Sequence, residues 1–279
     1  MTFLGDEGRD VLVVKRMIVD HKFTLLGPTA SVGGFFLGPI YYYFMLPFLW
    51  IFNLDPVGPA VMVAIFGTAT IFLIFLLGKR LFNDKVGLMS SLLYAISPVV
   101  INYSRSSWNP NIVPFFTCLL ILLLLEYAKS ANRKFLFLAG CMLGIGLQLH
   151  YLFSFLIVFS VLFIISNKLK ENIQKFAVIA SGFFVCYLPF ILFELRHGFM
   201  NTSMILKFVF GSKDTGFEIG HFVGNAINVY MRIFQRLVTD NNVYLAVILV
   251  GMSLFMLFQL MKNKNTPENK IFLMWLTIQ

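Results

Sequence analysis

Charge-free apolar stretches alternate along the chain with short polar groups, and the apolar stretches match the length of a membrane crossing. About 20 apolar residues span the hydrocarbon layer as a helix. Residues 56–78, 86–104, 106–125, 176–193 and 241–261 each fit one crossing. The window 135–167 is too long for one span and short for two. Loop charge decides it, because Lys129, Arg133 and Lys134 precede the window while Lys168, Lys170 and Lys175 follow it. Basic loops mark the cytoplasmic side. The chain is therefore expected to go out and come back, turning at Gln148-Leu149-His150-Tyr151, the strongly polar point of the window.

The same rule puts Lys79, Arg80 and Lys85 on the cytoplasmic side, with Lys262, Lys264 and Lys270. The N-terminal stretch, the Arg105-to-Asn109 turn and the segment 194–240 then lie outside. Residues 23–54 carry no charge but are rich in Gly, Pro and Tyr, which suits an outer loop with interfacial helices, and Met200 to Thr239 has the same character. The expected organisation is a first extracytoplasmic loop (1–55), transmembrane helices (56–193), a second outer loop with amphipathic helices (194–240), and a last part (241–279) holding one span, a cytoplasmic loop and the start of another helix. The run Ile271–Gln279 stops after nine residues, so the chain reads as part of a longer protein. The fold class expected is all-α, a polytopic bundle in the plasma membrane.

Composition agrees. Of 279 residues, 58% are hydrophobic and 13% charged, with 33 Phe, and the mean hydropathy is +0.82; a soluble core does not require this. The net charge of +9 is dispersed in short groups between apolar runs. That pattern signals topology and headgroup contact, and argues against nucleic-acid binding. Cys118, Cys141 and Cys186 lie inside apolar runs without CxxC spacing and read as packing residues. No predicted span carries a charge near its middle, which weighs against ion-coupled transport.

Four polar groups are candidates for chemistry, each with a plainer alternative. Asp6-Glu7-Gly8-Arg9 is either a solvated polar tail or a carboxylate base beside a cation that faces a lipid phosphate. In Tyr103-to-Asn111, Arg105 either snorkels or grips phosphate, Trp108 is an interfacial anchor, and Asn109 with Pro110 makes a turn. His150 and Tyr151 are either structural or contact a sugar or phosphate, with no second His at metal-ligand spacing. Glu194-Leu195-Arg196-His197 is either an internally paired helix end or part of a site.

Together these residues resemble the GT-C glycosyltransferases, in particular the dolichyl-phosphate-mannose-protein mannosyltransferase-like group that includes aminoarabinose transferases. The resemblance rests on Asp6-Glu7-Gly8-Arg9, Gly38-Pro39-Ile40-Tyr41-Tyr42-Tyr43, Asp55-Pro56-Val57-Gly58-Pro59 and Ser104-Arg105 followed by Trp108-Asn109-Pro110-Asn111. It implies transfer of a sugar from a polyprenyl-phosphate donor to a hydroxyl of a glycan, lipid or protein at the extracytoplasmic face, with inversion. Asp6 would be the catalytic base with Glu7 in the same site. Arg9, Arg105 and Arg196 would bind the donor phosphate, and Trp108, Asn109, His150, Tyr151 and Glu194 the substrates. Leu37-Gly38-Pro39 stands where many relatives carry Lys-Pro-Pro, so a phosphate-binding lysine is missing and Arg105 or Arg196 is expected to compensate. No cofactor is expected to be required, and a divalent metal is optional. The rival readings are a flippase for lipid-linked glycans and an inactive membrane subunit.

Overall fold

The computed structural model describes residues 5–31, 33–166, 172–211, 228–236, 238–239 and 241–262. The fold is all-α: among the described residues, the one β-type pairing is an isolated bridge between Thr29 and Phe36. The helices among the described residues include α1 (Gly5–Val19), α2 (Ile40–Ile51), α3 (Val57–Leu81), α4 (Asp84–Ile96), α5 (Pro98–Tyr103), α6 (Val113–Ser130), α7 (Arg133–Leu149), α8 (Ser154–Ser166), α9 (Asn172–Arg196), α10 (Met200–Gly211) and α11 (Val243–Lys262). Short 3-10 turns at Asn109–Ile112 and Tyr151–Phe153 lead into α6 and α8.

Helix boundaries follow local chemistry. Asp55 Oδ1 accepts from the Val57 amide at 2.8 Å and starts α3, while Asn83 and Asn132 cap α4 and α7 through bonds from Val86 and Lys134 at 3.0 Å. Ala131 turns the chain between α6 and α7 at φ +53°. Among the described residues, three helical stretches are long and apolar enough to cross a membrane: Val57–Leu81, Asn109–Ser130 and Ile173–Arg196. The apolar helices around Ile40–Ile51, Tyr151–Ile165 and Val243–Phe255 are shorter.

One expectation is corrected. The window 86–104 is not one helix. Pro98 lacks an amide hydrogen and forces Ser97 to an extended ψ of 121°, so α4 stops and α5 restarts with Pro98 in its first turn. Asp6-to-Arg9, in the segment expected to hold interfacial helices, forms the first turns of α1. That helix buries Glu7, Asp10, Val11, Val14 and Met17 at helical spacing. The break expected within 135–167 is present: α7 ends at Leu149 and helix resumes after His150. Lys168, Lys170, Lys213, Lys264, Lys270 and the run Ile271–Gln279 lie outside the described residues.

Glycines bring α7 and α9 into backbone contact. A Cβ on Gly140 would lie 2.0 Å from the Ile179 carbonyl oxygen, and one on Gly182 would lie 2.1 Å from that of Phe137. Small residues that let helix backbones touch are the usual solution where no hydrophobic force drives helices together. Tyr41, Met45, Leu49, Leu120, Leu124, Leu136, Leu149, Phe159 and Phe163 fill the interior. The outward faces carry exposed Ile65, Phe72, Phe184, Val185 and Leu188, as lipid contact requires.

The polar groups sort to opposite ends of the bundle. At one end Lys79 pairs with Asp84 at 3.0 Å, Arg80 approaches Glu126 at 3.8 Å, and Arg133 donates to Gln174 at 2.6 Å. This is the end to which the sequence assigned the basic loops. At the other end Ser106 reaches Glu7 and Asn109 reaches Leu149.

Candidate functional site

The acidic start of α1 builds one wall of a cleft at that second end. On a helix, Asp6, Arg9 and Asp10 share a face through i, i+3 and i, i+4 spacing. Arg9 Nη1 donates to Asp6 Oδ1 at 3.1 Å. Its Nε donates to Asp10 Oδ1 at 3.0 Å, and Nη2 lies 2.9 Å from the same oxygen. The three groups differ in exposure: the Asp6 side chain is 56% exposed, Arg9 39% and Asp10 0%. Arg9 is thus a bridge between a carboxylate at the surface and one in the interior.

Asp10 was not singled out from the sequence. Its Oδ1 also accepts from the Tyr42 hydroxyl at 3.0 Å, and its Oδ2 is buried without a hydrogen-bond partner. Burial pushes its carboxyl above the usual range, opposed by the Arg9 charge and its hydrogen bond. The signal was present as helical spacing: Asp10 falls in register with Val11, Val14 and Met17 on the face that α1 buries.

The turn between α5 and α6 supplies the floor. Asn111 Nδ2 closes it by donating to the Tyr103 and Ser106 carbonyls at 3.0 and 2.9 Å. Ser106 Oγ then donates to Glu7 Oε1 at 2.6 Å, and Ser107 Oγ lies 2.9 Å from the Tyr41 hydroxyl oxygen. Asn109 is buried and donates to the Leu149 carbonyl at 2.6 Å, satisfying an otherwise open carbonyl at the end of α7. His150 follows. Its Nδ1 accepts from the Leu152 amide at 3.2 Å, and its ring stacks on Tyr151 with centroids 4.7 Å apart. Burial lowers its pKa and favours the neutral ring. With Nδ1 accepting, the neutral tautomer carries its proton on Nε2.

The resulting cleft holds about 390 Å³ of empty space open to solvent, and Asp6, Arg9, Trp108, Asn109, Pro110, His150, Tyr151, Thr29, Ala30, Ser31 and Leu37 line it. Six of the residues singled out from sequence therefore meet: Asp6, Arg9, Trp108, Asn109, His150 and Tyr151. The others do not line it. Glu7 is buried and turned to Ser106. Arg105 and Arg196 are exposed and outside the lining. Glu194, expected to touch substrate, has both carboxylate oxygens engaged by the Asn201 and Thr202 amides at 3.1 and 2.8 Å, so it caps α10. It is not paired with Arg196 either.

Leu37 lines the cleft, and among the described lining residues Arg9 is the one lysine or arginine. Arg105 and Arg196, expected to stand in for the missing lysine, are not among the lining residues. Among the described residues no three His, Cys, Asp or Glu side chains converge.

No curated protein and no solved structure matches the chain. Residues 37–193 match the family described as dolichyl-phosphate-mannose-protein mannosyltransferase. The match covers α2 to α9 with the α5–α6 turn and His150, while the Asp6-to-Arg9 turn precedes it. Over more than half its length, with an all-α architecture and helices fit to cross a bilayer, the chain belongs to the dolichyl-phosphate-mannose-protein mannosyltransferase family and so to the membrane glycosyltransferases.

Proposed function

We propose that the cleft transfers a sugar from a polyprenyl-phosphate donor to the hydroxyl of a glycan, lipid or protein acceptor at the extracytoplasmic end of the bundle, with inversion. The observation that carries this is an exposed carboxylate, Asp6, lying 3.1 Å from a guanidinium that is braced from behind by buried Asp10. An acceptor oxygen attacks the anomeric carbon as the bond from that carbon to the phosphate oxygen breaks. The proton of the acceptor passes to Asp6, and the lipid phosphate departs with the bonding electrons. Back-side attack inverts the centre.

Arg9 meets the charge that grows on the departing phosphate. Such fixed charge is most effective where water is thin. Its planar fork suits phosphate, and Asp10 with Tyr42 holds it in place at no further ordering cost during the reaction. Trp108 and Tyr151 offer ring faces for the sugar, and His150 offers an Nε2 proton to a sugar or phosphate oxygen. A lipid-borne donor explains why the catalytic groups stand on a short amphipathic helix at one end of a greasy bundle. Basic loops at the opposite end favour the extracytoplasmic placement by the positive-inside rule.

The test is reconstitution of the full chain in proteoliposomes with radiolabelled polyprenyl-phosphate mannose and acceptors of the three classes. Label leaving the lipid for an acceptor, with the anomeric configuration inverted, is the expected result. Label that crosses the bilayer still attached to its lipid would overturn the reading in favour of a flippase. Sidedness is checked separately in His150→Cys, which an impermeant thiol reagent added outside should modify.

A further inference from the structure

The cleft wall contributed by Thr29, Ala30, Ser31 and Leu37 is not helical. It is a narrow loop in which the Gly27 amide donates to Leu37 O at 2.9 Å, the Ala30 amide to Phe35 O at 2.8 Å and the Leu37 amide to Pro28 O at 2.9 Å. Gly33 and Gly34 turn its tip at φ +73° and +66°. An isolated pair of strands is marginal in water. Something outside the loop has to hold it.

Asn201 does so, as a neighbouring strand would. The Phe36 amide donates to Asn201 Oδ1 at 2.6 Å, and Asn201 Nδ2 donates to Phe36 O at 3.0 Å. Phe36 is also the residue bridged to Thr29, so the clamp acts one pairing away from the cleft lining. Asn201 is fully buried, and its place is fixed by the Glu194 carboxylate, which accepts from the Asn201 and Thr202 amides. Phe35 adds an apolar contact, with its ring 5.9 Å from Tyr151 and 5.8 Å from Phe208.

A primary amide carries a donor and an acceptor on one planar group, which matches the N–H and C=O of a single residue such as Phe36. Aspartate in its place would keep the bond from the Phe36 amide but set an oxygen against Phe36 O. Alanine would lose both bonds.

We propose that Asn201 is a positioning residue for transfer, docking the 27–38 loop onto α10 so that Thr29 and Ser31 stand in the cleft where the donor sugar binds. The inference rests on the transferase reading of the cleft. It assigns α10 a role in substrate recognition without contact to substrate.

The test compares Asn201→Ala, Asn201→Asp and the control Thr202→Ala in the full chain in proteoliposomes, with polyprenyl-phosphate mannose as the probe. Loss of two buried hydrogen bonds should raise KM for this donor on the order of 10-fold in Asn201→Ala, with kcat within about 2-fold of wild type. Hydrogen exchange at the Phe36 amide should accelerate in the same variant. Should the alanine variant fail to fold, the aspartate variant, which keeps the shape of asparagine but opposes an oxygen to Phe36 O, is expected to show the same split at equal or larger size. Thr202 has an exposed side chain, and its alanine variant should behave as wild type.

An unchanged KM in both Asn201 variants would overturn the proposal. So would an equal rise in Thr202→Ala, or unaltered exchange at Phe36. Absence of transfer by the wild type would sink the enzymatic reading instead, and the exchange measurement would still decide whether Asn201 docks the loop.

Discussion

Replacing Gly140 by Ala tests whether the α7–α9 seam sets the cleft. The added Cβ would sit 2.0 Å from Ile179 O, against at least 3.4 Å for an ordinary contact, and the obstacle is backbone that no rotamer change can move. The two helices must part by roughly 1 Å, and a gap of that size forfeits about a quarter to a half of each dispersion contact across the seam. Overpacking a close-packed core costs roughly 1–3 kcal/mol, and a backbone clash belongs at the upper end. The better helix propensity of Ala returns at most about 1 kcal/mol, leaving a net loss near 2 kcal/mol. The consequence reaches the site because α7 ends at His150 and α9 runs to the α10 cap at Glu194. A displacement of about 1 Å at reacting groups can cost on the order of 100-fold in rate. Thermal unfolding of the full chain in detergent, paired with transfer in proteoliposomes, reads both effects. Gly251→Ala is the control, since a Cβ there meets nothing within 4 Å. A Gly140→Ala protein that melts with the wild type and transfers at its rate would refute the reasoning.

Further outcomes follow from the site. Because the folded protein holds the Asp10 carboxyl above its ordinary value of 3.8, the native state binds that proton more tightly than the unfolded chain does. Its contribution is complete below pH 3.8 and is lost as pH rises through the raised folded value, so the stability of wild type relative to Asp10→Asn should decline across that window; melting in a pH series would show it, and a rise would contradict it. Arg9→Lys loses the planar fork that reaches Asp6 and Asp10 together, and should raise donor KM by about 10-fold or more in the transfer assay. Arg105→Ala, at an exposed position outside the cleft lining, should leave donor KM within about 2-fold.

What the sequence disclosed and what it hid have separate physical origins. Loop charge implied a turn within 135–167, because the positive-inside bias acts on short segments readable in order along the chain, and the polar run Gln148 to Tyr151 marked its place. Asp6, Arg9 and Trp108 stood out because charge or indole beside membrane-length apolar runs is conspicuous. Asp10 was hidden by its neighbours, appearing as one more charge in a polar start; only the helical register with Val14 and Met17 reveals it as buried. The break at Pro98 was legible in principle, since a proline inside an apolar window ends a helix before it. The spacing of Gly140 and Gly144 likewise marks a helix-packing face. Glu194 misled because its partners are amides of the following helix and not the adjacent Arg196. Asn201 gave no local sign at all: its partner Phe36 is 165 residues away, and a side-chain amide bonded to a distant backbone leaves no periodicity to read.

The role of Asp6 as base is tested most directly by the initial rate of sugar transfer in full-chain Asp6→Asn proteoliposomes. The substitution keeps shape and leaves Arg9 held by Asp10, so fold and donor binding should persist while proton removal fails. A positioned carboxylate contributes about 100- to 10,000-fold to such a step, and the rate should fall by that order. Transfer at the wild-type rate would contradict the account.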